Sequence, residues 1–158
     1  MKVLGIDPGT AACGYGIVHQ SEGRLTATAY GCWTTRAGQR QDLRLKTIFD
    51  GVAALIAEHA PDAVALEESY VGADARIALS VGQARGAVLV ACAAAGVVAI
   101  EYTPTHVKQA VCGFGRADKA QVQRMVKLVL GVDVPNHHAS DALAVAICHV
   151  TAPRLAAA

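Results

Sequence analysis

The chain has 158 residues, 53% of them apolar and 17% charged, which excludes a disordered polymer and suits one globular domain over residues 1–158. Aromatic residues make up only 4%, so the core must be built from Ala, Val, Leu and Ile. The net charge of +1 conceals blocks of opposite sign. Four basic residues against Asp42 alone lie between Arg36 and Lys46. Lys108, Arg116, Lys119, Arg124 and Lys127 face only Asp118 between Tyr102 and Leu130. Five acids and no Lys or Arg lie between Glu58 and Asp74. The five cysteines are scattered and never form a CxxC pair, which argues against a disulfide framework and a structural zinc site. The longest uncharged run, Gly86 to Ile100, is short for a bilayer and contains Gly96. The N-terminus lacks the features of an export signal, so no membrane association and a cytoplasmic location are expected.

No internal repeat, low-complexity tract or linker interrupts the chain. Residues 2–7 read as a buried strand. Tyr15–His19 and Leu25–Trp33 read as two more, joined through the turn Ser21-Glu22-Gly23-Arg24. Leu43, Leu45, Ile48, Val52, Leu55, Ile56 and His59 recur at helical spacing, and Pro61 closes that helix. Ala63–Glu67 is the fourth strand, followed by a long helix from about Ala73 to Ala95. Val97–Tyr102 is the fifth strand. Thr103 and Pro104 form an N-cap and N1 pair for a helix to about Val111. Gly113–Arg116 is a loop, Asp118 caps a helix ending at Gly131, and a final helix starts at Asn136 and reaches about His149.

Three consecutive strands followed by alternating helices and strands predict an α/β domain: a mixed five-stranded sheet, antiparallel over three strands and then parallel, flanked by helices. A right-handed crossover sets the fourth strand beside the first, the ribonuclease-H-like arrangement. The long helix carries Ala78, Gly82 and Gly86 four residues apart, so another helix can approach closely. Its partner is either a helix of the same chain or a second copy in a homodimer.

Asp7 ends the first strand, Glu67 ends the fourth, and Asp141 lies in the first turn of the apolar segment that follows it. Carboxylates held by apolar structure are costly unless they share a cation, which points to a divalent-metal site. Glu68 should face away from Glu67 along the strand. His137 and His138 stand four and three residues before Asp141, so either imidazole can share its helical face. Two Mg²⁺ ions bridged by such acids activate water for phosphodiester hydrolysis, and a nitrogen ligand from His138 makes Mn²⁺ at least as acceptable. Basic flanks around the acidic centre suit a polyanionic substrate.

Six stretches carry a specific resemblance. They are Gly5-Ile6-Asp7-Pro8-Gly9 with Gly14-Tyr15-Gly16, Leu66-Glu67, Val81-Gly82-Gln83-Ala84-Arg85-Gly86, Val107-Lys108-Gln109, Asp118-Lys119-Ala120-Gln121-Val122-Gln123, and Ser140-Asp141-Ala142-Leu143-Ala144. In their order and spacing the chain resembles the RuvC-type Holliday junction resolvases over nearly its whole length. The resemblance implies a homodimer that cuts four-way DNA junctions on two strands in recombination and repair. It implies Asp7, Glu67, His138 and Asp141 as the catalytic, metal-binding set, with His138 standing where many members carry aspartate. It also implies Lys108 and Lys119 at the DNA backbone, Tyr70 stacking at the opened junction, Arg76 as a further DNA contact, and cooperation with the RuvA–RuvB branch-migration complex.

Three rival readings stay open. Gly5–Thr10 resembles the phosphate-binding hairpin of actin-like and Hsp70-like ATPases, which need a second domain around adenosine. A YqgF-type nuclease acting on ribosomal RNA shares the opening motif. A catalytically silent junction-binding protein would need a broken metal set.

Overall fold

The computed structural model describes residues 1–68 and 74–152. Strand β1 (Lys2–Asp7) pairs antiparallel with β2 (Ala12–Ser21), and β2 pairs antiparallel with β3 (Arg24–Thr34). Glu22 and Gly23, with φ of 50° and 77°, make the two-residue hairpin turn joining β2 to β3. Successive positive φ values match the twist of the flanking strands. Helix α1 (Gln41–His59) then leads to β4 (Ala63–Glu67), which lies parallel to β1 with Ile6 opposite Leu66. Helix α2 (Ala75–Ala94) leads to β5 (Ala99–Tyr102), giving the sheet order β3-β2-β1-β4-β5. Helices α3 (Pro104–Cys112), α4 (Lys119–Leu130) and α5 (His137–Thr151) complete the described chain. This is the mixed sheet expected from the sequence.

The two-residue period of the strands divides the core. Leu4, Ile6, Ile17, Val64 and Leu66 join residues of α1 and α2 in one apolar cluster. Val3, Val18 and Ala65 join residues of α3, α4 and α5 in another. By the same alternation, Asp7 and Glu67 belong to the face that carries α5.

Helix ends follow the local sequence. Thr103 Oγ1 accepts from His106 N, and Pro104 opens α3. Asp118 and Gln121 form a reciprocal capping box at α4, whose last turn ends on Gly131 at φ 67°. Asn136 Oδ1 accepts from His138 N and Ala139 N and so starts α5.

Strands β2 and β3 are longer than the sequence alone predicts, and β2 begins at Ala12 instead of Tyr15. Gly14 and Gly16 lie mid-strand beneath α5. A Cβ at Gly14 would overlap the His138 backbone carbonyl, one at Gly16 the Leu143 side chain, and one at Gly5 the Ala142 carbonyl. These three glycines let α5 lie directly on β1 and β2.

The small-residue stripe of α2 has a different setting. Among the described residues, no atom outside α2's own backbone and the adjoining residues lies within 4 Å of a Cβ built at Gly82 or Gly86, so packing against the other described helices does not account for those two positions. Helix α2 is also long and apolar enough, by length and composition, to cross a membrane, with 22% of the relevant window buried. The run of 15 residues weighed in the sequence missed this because Arg76 and Arg85 interrupt the apolar stretch. Within the fold α2 packs on α1, and Arg85 pairs with Glu101 of β5.

Candidate active site

Strand ends and one helix assemble the site. The β1–β4 register places Asp7 next to Glu67 at the carboxyl ends of two parallel strands. Helix α5, seated over Gly5 and Gly14, brings His138 and Asp141 to the same edge. His138 Nδ1 lies 2.8 Å from Asp7 Oδ2, the imidazole donating to the carboxylate. Lys119, at the start of α4, places Nζ 2.9 Å from Asp141 Oδ2. Glu67, Lys108, Lys119 and Asp141 line one open cleft of about 250 Å³, with Val107 and Val122 as part of its apolar wall.

The electrostatics reflect three acids confined together. Burial pushes the Glu67 carboxyl up to about 7, and the charges of Asp7 and Asp141 add to the rise against the pull of Lys108 and Lys119. Burial also raises Asp7, with Asp141 acting in the same direction, while the hydrogen bond from His138 opposes the rise. Asp7 and Asp141 make ionisation of Glu67 harder, and Asp141 does the same to Asp7. A cation relieves that strain.

The donor chemistry of the cluster, carboxylate oxygens with one imidazole, fits a divalent ion such as Mg²⁺ or Mn²⁺. Among the described residues, no three His, Cys, Asp or Glu side chains converge in ion-binding geometry. Asp7 is turned to the His138 imidazole and Asp141 to the Lys119 ammonium, so protein groups occupy the acids that an ion would claim.

Of the residues expected from the sequence, Asp7, Glu67, His138, Asp141, Lys108 and Lys119 meet at this edge. His138 reaches across to Asp7 on β1, a partner that its spacing from Asp141 does not reveal, and its ring packs on His137 at 4.0 Å. Glu68 is exposed, as strand alternation requires. Arg76 is exposed in the first turn of α2 and does not line the cleft. Tyr70 lies outside the described residues. Sequence reasoning missed the Lys119–Asp141 pair, because nothing in the spacing of 22 residues reveals that α4 and α5 abut. It also missed Thr10. This buried hydroxyl hydrogen-bonds to Ser80 O at 2.8 Å and ties the turn after Asp7 to α2.

Residues 3–149 match the family model described as crossover junction endodeoxyribonuclease RuvC. A relative of that name from Chloroflexus aggregans is 51% identical over 158 residues, covering 98% of this chain and 96% of its own. Another, from Syntrophomonas wolfei, is 49% identical over 157 residues, covering 98% and 91%. The solved structure of T. thermophilus RuvC in complex with Holliday junction substrate superposes with a TM-score of 0.90 at 36% identity, over 96% of this chain and 93% of that one. The yeast mitochondrial Holliday junction resolvase Ydc2 shares the fold at 12% identity, with a TM-score of 0.67 over 94% and 78% of the two chains. The chain belongs to the RuvC family of crossover junction endodeoxyribonucleases.

Proposed function

We propose that Asp7, Glu67, His138 and Asp141 form the cutting centre of a four-way-junction endonuclease, carried by one nuclease domain over residues 1–158. The observation that carries this assignment is the meeting of Asp7, Glu67 and Asp141 from β1, β4 and α5 at one sheet edge, with Lys108 and Lys119 in the same cleft. Bound there, two Mg²⁺ or Mn²⁺ ions supply Lewis acidity to the scissile phosphate and acidity to the attacking water. The chain's own residues prepare the place. Asp7 and Glu67 are fixed on neighbouring strands, so they need no rearrangement of the backbone to act together. Asp141 would be a ligand to such an ion, and Lys119, which pairs with it and lines the same cleft, would offer its ammonium to a phosphate oxygen. His138, whose Nδ1 is engaged with Asp7, keeps Nε2 to ligate the ion or to carry a proton for the reacting oxygen. Lys108 faces the same cleft and attracts the backbone on either side of the cut.

Cutting two strands of a junction symmetrically requires two centres, hence a homodimer. What supports α2 as the seam is its open stripe at Gly82 and Gly86, flanked by Ile77, Leu79 and Val90, each at least 60% exposed. An apolar face of that kind is usually covered by a partner. Arg76, exposed in the first turn of α2, extends the DNA surface, and Tyr70 is the residue assigned to stacking on an unpaired base. The protein works with junction DNA in the cytoplasm and cooperates with the RuvA–RuvB branch-migration complex.

The test is cleavage of a labelled mobile junction and of a linear duplex of the same sequence, in Mg²⁺, Mn²⁺ or EDTA. Paired symmetric nicks, confined to the junction and dependent on metal, are expected. Binding without cutting in either metal would make the chain a silent binder. Activity on structured RNA alone would move it to ribosomal RNA processing.

A further inference from the structure

Helix α4 turns different residues to two cavities. Lys119 and Val122 line the acid cleft, while Gln123, Arg124 and Lys127 line a second cavity of about 320 Å³. Val134 and Asp133, from the loop before α5, complete its wall together with Ser140 of α5. Ser140 is 3% exposed, and its Oγ is buried with no hydrogen-bond partner among the described residues. A buried hydroxyl in that condition is unfavourable, and a bound acceptor beside it removes the cost.

The charge of the cavity selects the ligand. Lys127 Nζ lies 3.0 Å from Asp133 Oδ1, so these two neutralise each other. Arg124 is exposed and makes no ion pair among the described residues, which leaves the cavity one positive charge in excess. A phosphodiester carries one negative charge. The guanidinium fork presents two parallel N–H donors to its oxygens, and the Gln123 amide and Ser140 hydroxyl add neutral donors. Among the described residues no aromatic ring lines the cavity, so they offer nothing on which a base can stack.

We propose that this cavity is a second backbone seat, which holds a non-scissile phosphodiester of the strand being cut. The assignment rests on the junction-nuclease reading above and extends its substrate path. Ser140 directly precedes Asp141, so α5 joins the seat to the cutting centre, and a strand running between them crosses the N-terminal half of α4. Arg124 and Ser140 are then positioning residues that determine which phosphodiester reaches the acids.

The experiment has two independent parts. In the first, the metal-free full chain is titrated with inorganic phosphate and followed by amide chemical shifts. Saturating shifts at Gln123, Arg124 and Ser140, lost in Arg124→Ala and weakened in Ser140→Ala, are expected. Shifts confined to Lys108 and Lys119 would overturn the seat. In the second, junction affinity is measured against salt. Arg124→Ala should reduce the slope of log affinity against log salt by about 0.9, the contribution of one phosphate contact. Arg124→Lys should retain the slope but bind more weakly, because it keeps the charge and loses the fork. Wild-type junction binding with an unchanged slope in Arg124→Ala would refute the seat and leave the nuclease reading intact. Failure of the wild type to bind junctions, with the phosphate shifts present, would do the reverse. Both variants should fold, since Arg124 is exposed and Ser140→Ala removes an unpartnered hydroxyl.

Discussion

Helix α5 buries ten of its fifteen residues, whereas α2 buries four of its twenty. Both are strongly apolar, and composition alone would assign them the same place in the core. The sheet beneath decides otherwise. Gly5, Gly14 and Gly16 remove the side chains that would hold α5 away, so it sinks onto β1 and β2 and carries His138 and Asp141 to the acids of the strand ends. Helix α2 uses one narrow side, Ala84, Val88, Ala91 and Cys92, against the sheet and α1, and leaves its remaining apolar face open. Glycine therefore has opposite meanings in the two regions. Under α5 it is a contact already made. On α2 it is space still available.

Substitutions at the two sets of glycines should break this comparison most visibly. Gly14→Val or Gly5→Val forces α5 off the sheet, with an expected loss of about 3 kcal/mol in chemical denaturation together with loss of cleavage. A variant of either kind that unfolds like the wild type would show that α5 is not held by this close approach. Next in size are the acids themselves. Asp7→Asn, Glu67→Gln and Asp141→Asn should each reduce junction cleavage by about 10³-fold or more while gel-shift binding is largely retained. Binding and fold lost together would make these residues structural.

On α2 the expected signs diverge. Gly82→Arg should raise the stability of the isolated subunit by up to about 1 kcal/mol, since an exposed mid-helix glycine is unfavourable. The same change should shift the sedimenting species from dimer to monomer. A variant that remains dimeric would place the seam elsewhere.

The pH dependence of folding sharpens the α5 side. Glu67 ordinarily titrates at 4.5 and is raised to about 7 in the folded chain by burial, then by Asp7 and Asp141. Between those values the folded state holds a proton that the unfolded state has lost. Stability of the metal-free protein should therefore fall as pH rises from 4.5 to about 7, with the raised Asp7 contributing in the same direction. Thermal unfolding in EDTA measures the slope. Glu67→Gln should flatten it, and so should saturating Mg²⁺ in the wild type, which binds the ionised acids. A slope of opposite sign would mean that neither burial nor the neighbouring acids hold these carboxyls up in the folded chain. The smallest expected effect is at Lys108: its replacement by Ala should lower the salt slope of junction binding by about one.

The sheet order and the strand-end acids were legible because both follow from local patterning. Apolar runs, the Glu22-Gly23 turn and helix caps at Thr103, Asp118 and Asn136 are decided within a few residues, where backbone preference and hydrogen bonding act. The apolar runs likewise end at Asp7 and Glu67 on strands expected to be neighbours, and the β1–β4 register then sets the two acids side by side. The length of β2 was misread for an equally physical reason. Glycine adds nothing to the apolar pattern of a strand, and only the close approach of α5 shows why Gly14 and Gly16 belong to it.

Chain pattern by itself determined the mixed sheet, the helix boundaries to within a few residues, and which acids end at the sheet edge. Tertiary structure alone decided that His138 answers Asp7, that Lys119 holds Asp141, that Ser140 Oγ is buried without a partner, and that α2 keeps an open face. The division follows the range of the forces involved. Backbone hydrogen bonds and side-chain alternation act between near neighbours, whereas ion pairs, close packing and desolvation depend on which distant segments meet.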